Sequence, residues 1–387
     1  MTTDAVTSAP RPGVDGPRLS KVGIDACSLG MHRTGVANYV APILAALVSA
    51  HPDTHFFLYS NAPIRFDPFA NVTHRICDDG RRGPFWQSTR LRTMIAADGV
   101  EAHWGTNGYL PVLMPRGVKS VLTIHDLAEI YAPATQQKSV RWSRRIFQHL
   151  AARRANRVVT VSRATADAVE RHYGAHVHAV IHPCVPSRFA RVDPAAARAV
   201  AVRYDLDGPF LLIVATLEPR KNVAATIRAH LSRIAAGDHL PPLALVGGGG
   251  WLNDEVEAMI AEGQTKGAIK RLGYVPDEDL PALYSACDAF LLLSVYEGFG
   301  MPITEAQKCG APVIHGVHQS MVEAGGGLGV AIDPAPAAIE AMFAELASNT
   351  TALTCRLADD IGQTPEKAAG VMWDLLTDAA RSRTGRS

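Results

Sequence analysis

Short apolar runs alternate with longer amphipathic stretches along most of this 387-residue chain, and no other feature limits its fold so sharply. Residues 21–25 (KVGID), 55–59 (HFFLY), 102–104, 120–124 (SVLTI) and 157–161 (RVVTV) read as strands, with helices predicted over 37–47, 140–155 and 164–172. From Pro209 the pattern restarts, and helical stretches separate PFLLIVAT, PLALVG, IKRLGYV, AFLLLS and PVI. Such alternation builds parallel sheets through right-handed crossovers, which makes the chain α/β. Pro183, Pro186, Pro194 and Pro209 punctuate an aperiodic segment, so the join between two doubly wound domains falls in 183–209. The expected division is a disordered tail at 1–20, a first domain at 21–185 and a second at 186–365. A last helix, within 366–387, follows the final strand candidate at 329–332 and is expected to pack back on the first domain. Ligands of open α/β sheets sit beyond the carboxyl ends of the strands, which points to a cleft between the two domains.

Composition works mainly by exclusion. A formal net charge of +1 argues against a dedicated nucleic-acid binder. That total hides an asymmetry: residues 1–185 hold 21 basic and 13 acidic side chains, net +8, whereas the remainder holds 17 and 24, net −7. The split reflects either drift in surface charge or an anionic ligand meeting the first half. The six Cys include no CxxC pair, so neither a structural zinc site nor a disulfide scaffold is expected. The Pro/Gly/Thr-rich start lacks the ~7–15-residue apolar run of a signal peptide. No stretch reaches the ~18 apolar residues of a membrane span. A cytoplasmic protein is expected.

The segment 294–310, SVYEGFGMPITEAQKCG, begins at the carboxyl end of the AFLLL strand. Gly298 and Gly300 permit a tight turn, Pro302 suits a first helical turn, and the N–H groups there would form an anion site. Glu305 is placed to accept from ribose hydroxyls and Glu297 to meet a sugar hydroxyl. By spacing alone, the segment reads equally as a glycine-rich connection with solvated carboxylates. Six Arg lie at 141, 144, 145, 153, 154 and 157. A basic amphipathic helix can lie on an anionic membrane or bind a phosphate-bearing acceptor. The favoured reading is ordinary packing, with Trp142, Ile146, Phe147 and Leu150 as the apolar face; peripheral membrane contact is the lesser alternative.

EGFGMPITEA followed by CGAPVI is similar to the acidic E-x7-E motif of retaining glycosyltransferases of family 4. HRTGVANYV (32–40) resembles that family's glycine turn, TIHDL (123–127) its strand ending in His-Asp, and VSRATADAV (161–169) its segment before the linker. ATLEPRKN (215–222) looks like its donor-phosphate motif, and GYVPDEDLPALYSACDAFLLLS like the stretch preceding the acidic motif. The motifs occur in order over about residues 20–335. The resemblance implies the GT-B fold, two facing Rossmann-like domains with an interdomain cleft.

It also implies roles. Arg220 and Lys221 would hold the donor diphosphate; relatives carry a further Arg where this chain has Ala215. Glu305 would bind the ribose, and Glu297 would lie beside the donor sugar. Phe299, Gly300 and Met301 would offer backbone contacts to that sugar and the distal phosphate. His125 would hydrogen-bond the sugar near the reacting carbon, and Asp126 would orient its loop or receive an acceptor hydroxyl. Gly35 would let the backbone approach the phosphate, although Ala37 replaces a second glycine. The implied chemistry retains anomeric configuration by front-face substitution. Two carboxylates ~5 Å apart would instead suggest double displacement. No metal and no cofactor is expected beyond the nucleotide-diphosphate sugar (UDP-, GDP- or dTDP-linked), which serves as co-substrate.

IHDL and LEPRKN are most like mannosyl- and rhamnosyl-transferring members. The expected acceptor is a small molecule, a glycan or a lipid-linked sugar, in polysaccharide or glycolipid synthesis or on a natural product such as an aminocyclitol antibiotic. A 2-epimerase of the same fold is one alternative. A non-catalytic nucleotide-sugar binder is another, but it should have lost Glu297, His125 or Lys221. An NAD-linked dehydrogenase fails for want of GxGxxG followed by a ribose acid. LVGGGGW (245–251) reads as a bracket for the base, and Asp359-Asp360 as a solvated pair.

Overall fold

A computed structural model describes residues 19–30, 35–248, 254–348 and 363–381. Tail residues 1–18, His32–Thr34 of the glycine turn, Gly249–Trp251 of the Gly-rich run and the Asp359-Asp360 pair lie outside the described residues.

The first sheet contains β1 (Lys21–Asp25), β2 (His55–Ser60), β3 (Val72–Ile76), β4 (Ala102–Gly105), β5 (Lys119–Ile124), β6 (Arg157–Thr160) and β7 (Ala179–Val180). Its order is β3-β2-β1-β4-β5-β6-β7, with every pairing parallel. The second contains β8 (Leu211–Val214), β9 (Leu243–Val246), β10 (Ile269–Gly273), β11 (Ala289–Leu292), β12 (Val313–Gly316) and β13 (Val330–Ile332). Its order is β10-β9-β8-β11-β12-β13, again parallel. Central strands such as LALV and AFLL are buried along their whole length, as helices on both faces of a parallel sheet require. Strand order reverses between β1 and β4 and again between β8 and β11. These switch points are where helices diverge to opposite faces and open a crevice.

The helix Pro365–Arg381 crosses back to the first sheet, packing on the helix Gly35–Ala50 and against β4 and β5. Ala368, Met372, Leu376 and Ala379 are buried there, and Trp373 stacks on His51 with centroids 3.6 Å apart.

The stretch predicted as one helix over 140–155 is three consecutive pieces: Lys138–Ser143, a π-helical turn at Arg144–Gln148, and His149–Arg154. Its packing face also differs from the expectation. Trp142 and Ile146 are 58% and 53% exposed, whereas Gln148, Ala151 and Ala152 are buried. Arg144 and Gln148, four residues apart and so on one side, both turn inward to Asp126, which leaves Trp142 and Ile146 outside.

Candidate active site

All ten residues singled out from sequence line one cleft of about 590 Å³ between the sheets. They are Gly35, His125, Asp126, Arg220, Lys221, Glu297, Phe299, Gly300, Met301 and Glu305. That volume suits a small-molecule ligand. Neighbouring sequence motifs come together here because each follows a strand's carboxyl end: His125 follows β5, Arg220 and Lys221 follow β8, and Glu297 follows β11.

Glu297 is the electrostatic centre. Its carboxylate accepts from Arg220 Nη1 at 2.5 Å, Lys221 Nζ at 2.6 Å and Ser294 Oγ at 2.7 Å. Burial favours the neutral acid, but the charges of Lys221 and Arg220 outweigh it and hold the group down at about 2. Arg220 also donates to the Tyr296 carbonyl at 3.1 Å and pairs with Glu218 at 3.4 Å. Two cations and an ionised acid thus stand ready, charged, in a low-dielectric site.

Glu305 contrasts with it. The carboxyl, on the helix Met301–Lys308, is buried and accepts a hydrogen bond from the Tyr284 hydroxyl at 3.3 Å. Burial pushes it up to about 7, and Arg188 and Tyr284 offset this only in part. Such a group gains from any ligand that donates hydrogen bonds to it. Arg188 lines the same cleft, paired with Asp277 at 3.2 Å.

On the opposite wall, His125 Nε2 lies 2.7 Å from the Thr106 carbonyl, so that nitrogen carries the proton and donates. Burial holds the ring below its ordinary value, which keeps it neutral with Nδ1 as an acceptor. Tyr39 meets the ring edge-on at 5.1 Å. The Asp126 carboxylate accepts from Arg144 Nη2 at 2.6 Å, and its backbone carbonyl accepts from Gln148 at 3.0 Å. Burial opposes ionisation of Asp126, yet Arg144 and Arg220 prevail and lower it. Arg144 also pairs with buried Glu129 at 3.4 Å, and Glu129 accepts from the Tyr173 hydroxyl. The Asp126 carboxylate is therefore tied into the loop's own support while it lines the cleft.

The two walls touch through backbone. A Cβ on Gly298 would lie 2.0 Å from the His125 carbonyl oxygen, so only glycine allows this approach. Gly300, at φ 107°, begins the helix Met301–Lys308 in a conformation that side chains disfavour. Ser162 and Thr165 donate to the Gly298 carbonyl at 2.7 and 3.1 Å, and the Leu127 N–H donates to the Tyr296 hydroxyl at 2.8 Å. Glu323 of the second sheet's layer accepts from the Arg163 N–H at 2.8 Å and pairs with His182 at 2.7 Å. Sequence reasoning assigned no part to Arg144, Arg188, Tyr296 or Glu323. Arg144 was legible only as one of a run of arginines, and Tyr296 sits inside the quoted acidic segment.

Two family profiles match the chain in tandem. "Glycosyltransferase Family 4" matches residues 33–188, and "Glycosyl transferases group 1" matches residues 200–359. The chain is 34% identical over 234 residues to O-antigen chain mannosyltransferase B of Escherichia coli, which covers 59% of this chain and 60% of that protein. It is 26% identical over 241 residues to the 2-deoxystreptamine glucosyltransferase of Streptomyces kanamyceticus, covering 59% of this chain and 62% of that one. The alignments thus span somewhat under two thirds of either relative. The crystal structure of WaaG, a glycosyltransferase involved in lipopolysaccharide biosynthesis, superposes with a TM-score of 0.68 at 14% identity, over 95% of this chain and 100% of WaaG. With GT-B architecture in both layers and a matching profile on each domain, the chain belongs to the group 1, family 4 glycosyltransferases.

Proposed function

We propose that the protein transfers a hexosyl or deoxyhexosyl unit from a nucleotide-diphosphate sugar to an acceptor hydroxyl, with retention of anomeric configuration and without a metal. The observation that carries this reading is the Arg220–Glu297–Lys221 cluster facing His125 across the cleft. Arg220 and Lys221 exchange part of their pairing with Glu297 for the donor diphosphate and stabilise the charge that develops as its sugar bond breaks. Glu305 accepts from the ribose hydroxyls. His125, neutral, accepts a sugar hydroxyl at Nδ1. Glu297 already accepts three hydrogen bonds and is held far below neutrality, which makes it a poor nucleophile. The reading it supports is front-face substitution. The acceptor oxygen bonds the anomeric carbon as the bond to phosphate breaks, and the departing phosphate oxygen takes the acceptor proton.

Relatives named as mannosyltransferases favour a mannosyl unit and a saccharide acceptor. A second reading, transfer to an aminocyclitol, is favoured by the 2-deoxystreptamine relative.

The test is a thermal-shift panel of GDP, UDP and dTDP, followed by turnover with the matching sugars and NMR of the product. One diphosphate should raise the melting temperature, because a ligand selective for the folded state stabilises it. Lys221→Ala should abolish that rise, and the product should keep the donor's anomeric configuration. No response to any diphosphate would overturn the donor assignment; an inverted product would overturn the mechanism. Conversion of the donor to its C2 epimer without an acceptor would establish the epimerase instead.

A further inference from the structure

We propose that the outer face of residues 138–154 docks the protein on an anionic lipid surface. Lys138, Trp142, Arg145 and Ile146 recur at i, i+4, i+7 and i+8 and share one side of the helical stretch. Trp142, Ile146 and neighbouring Val140 are 58%, 53% and 44% exposed. Nothing among the described residues covers this side. Leu113, 65% exposed, extends the patch, since its loop shares a small surface cavity with Phe147 and Leu150.

The charge pattern selects the occupant. Residues 138–157, KSVRWSRRIFQHLAARRANR, contain seven basic side chains and no acidic one. Among the described residues, the ion pairs of this stretch involve Arg144 alone, which points inward to Asp126 and Glu129. Arg145, Arg153 and Arg154 are exposed. A tryptophan and an isoleucine framed by cations on one side of a helix form the pattern that lies in the headgroup layer. A second copy of this chain would bring like charges together. No helix among the described residues is long and apolar enough to cross a membrane, so the contact is one of surface.

Docking also has a consequence for the site. The inner side of the same stretch holds Asp126, which lines the cleft, through Arg144 and Gln148. A docked helix therefore sets the first domain's side of the cleft at headgroup level. Combined with the proposed transfer, and resting on it, this selects an acceptor hydroxyl carried by an amphiphile in that bilayer.

The experiment is co-sedimentation of the full chain with vesicles of phosphatidylcholine alone or mixed with phosphatidylglycerol, which requires no activity. Binding should appear only with phosphatidylglycerol and weaken as salt rises. Trp142→Glu/Ile146→Glu should reduce it roughly tenfold or more, and Arg141→Gln/Arg145→Gln should reduce it while keeping the apolar groups. Circular dichroism and melting temperature confirm that both variants fold. Equal sedimentation with both vesicles, or unaltered binding of either folded variant, would overturn the proposal. So would a wild-type dimer by light scattering that the Glu variant turns into a monomer.

Discussion

Glu297 and Glu305 lie eight residues apart in one motif, yet their environments drive them in opposite directions. Lys221 and Arg220 hold Glu297 down at about 2, whereas burial lifts Glu305 to about 7 from an ordinary 4.5. A raised folded-state value means the neutral acid is the comfortable form. Relative to the unfolded chain, the Glu305 contribution is fully present below 4.5 and is lost as pH rises through about 7. The shift corresponds to a cost on the order of 3 kcal/mol above that range. Glu305→Gln should therefore raise the melting temperature of the ligand-free protein at pH 8 and have little effect at pH 4.5, read by calorimetry. Ribose hydroxyls need the carboxylate, so wild-type affinity for the donor nucleotide should fall as pH drops through 7. In the Gln variant the affinity should be weak and flat across that range. A wild-type affinity that is flat from pH 5.5 to 8.5 would remove Glu305 from the ribose site.

At the scale of elements, the cleft depends on loops at strand ends meeting without side chains between them. Gly298 is among the tightest cases, with the His125 carbonyl oxygen 2.0 Å from where a Cβ would be. Both partners are backbone, so no rotamer change can relieve the clash. Gly298→Ala should leave each sheet folded but push the His125 loop from the acidic loop. A displacement near 1 Å is enough to lower kcat/KM about 10²-fold. Steady-state kinetics beside circular dichroism checks this, and wild-type turnover in a folded variant would refute it.

Buried strands and strand-end motifs were the legible part of the sequence, because apolar runs and turn residues are local signals. Strand β1 appears as read, and the ten site residues converge as the motif order implies. Strand β3, VTHRI, escaped because it is a half-exposed edge strand with no apolar run, and β7 because it has two residues. The inward turn of Arg144 was hidden for another reason. Nothing in RRIFQ distinguishes Arg144 from its exposed neighbour Arg145, and its partner Asp126 lies 18 residues away in sequence. Tyr296 and Glu323 act across domains, so their partners lie far away in sequence.

For the whole molecule, the question is what keeps the two domains together around the cleft. The surplus of +8 on the first half and −7 on the second would draw the halves together only weakly, since exposed charges are screened within ~10 Å. The contacts that meet are specific. Glu323 places its carboxylate on the N–H groups of Arg163 and Ala164, at the N-terminus of the first-domain helix Arg163–Tyr173, and beside His182. Burial works against that charge, but His182 and the two N–H groups overcome it and lower the acid. A carboxylate at a helix N-terminus contributes up to ~2 kcal/mol when partly buried. That is sufficient to change a closed-to-open ratio more than tenfold, since ~1.4 kcal/mol is a factor of ten. Glu323→Ala should therefore shift the free protein toward separated domains, enlarging the radius of gyration in small-angle scattering. Donor nucleotide, which under the proposed function bridges both walls, should restore the compact form, with KM for the donor raised more than kcat is lowered. An unchanged radius in the variant, with and without nucleotide, would show that the interface closes without Glu323.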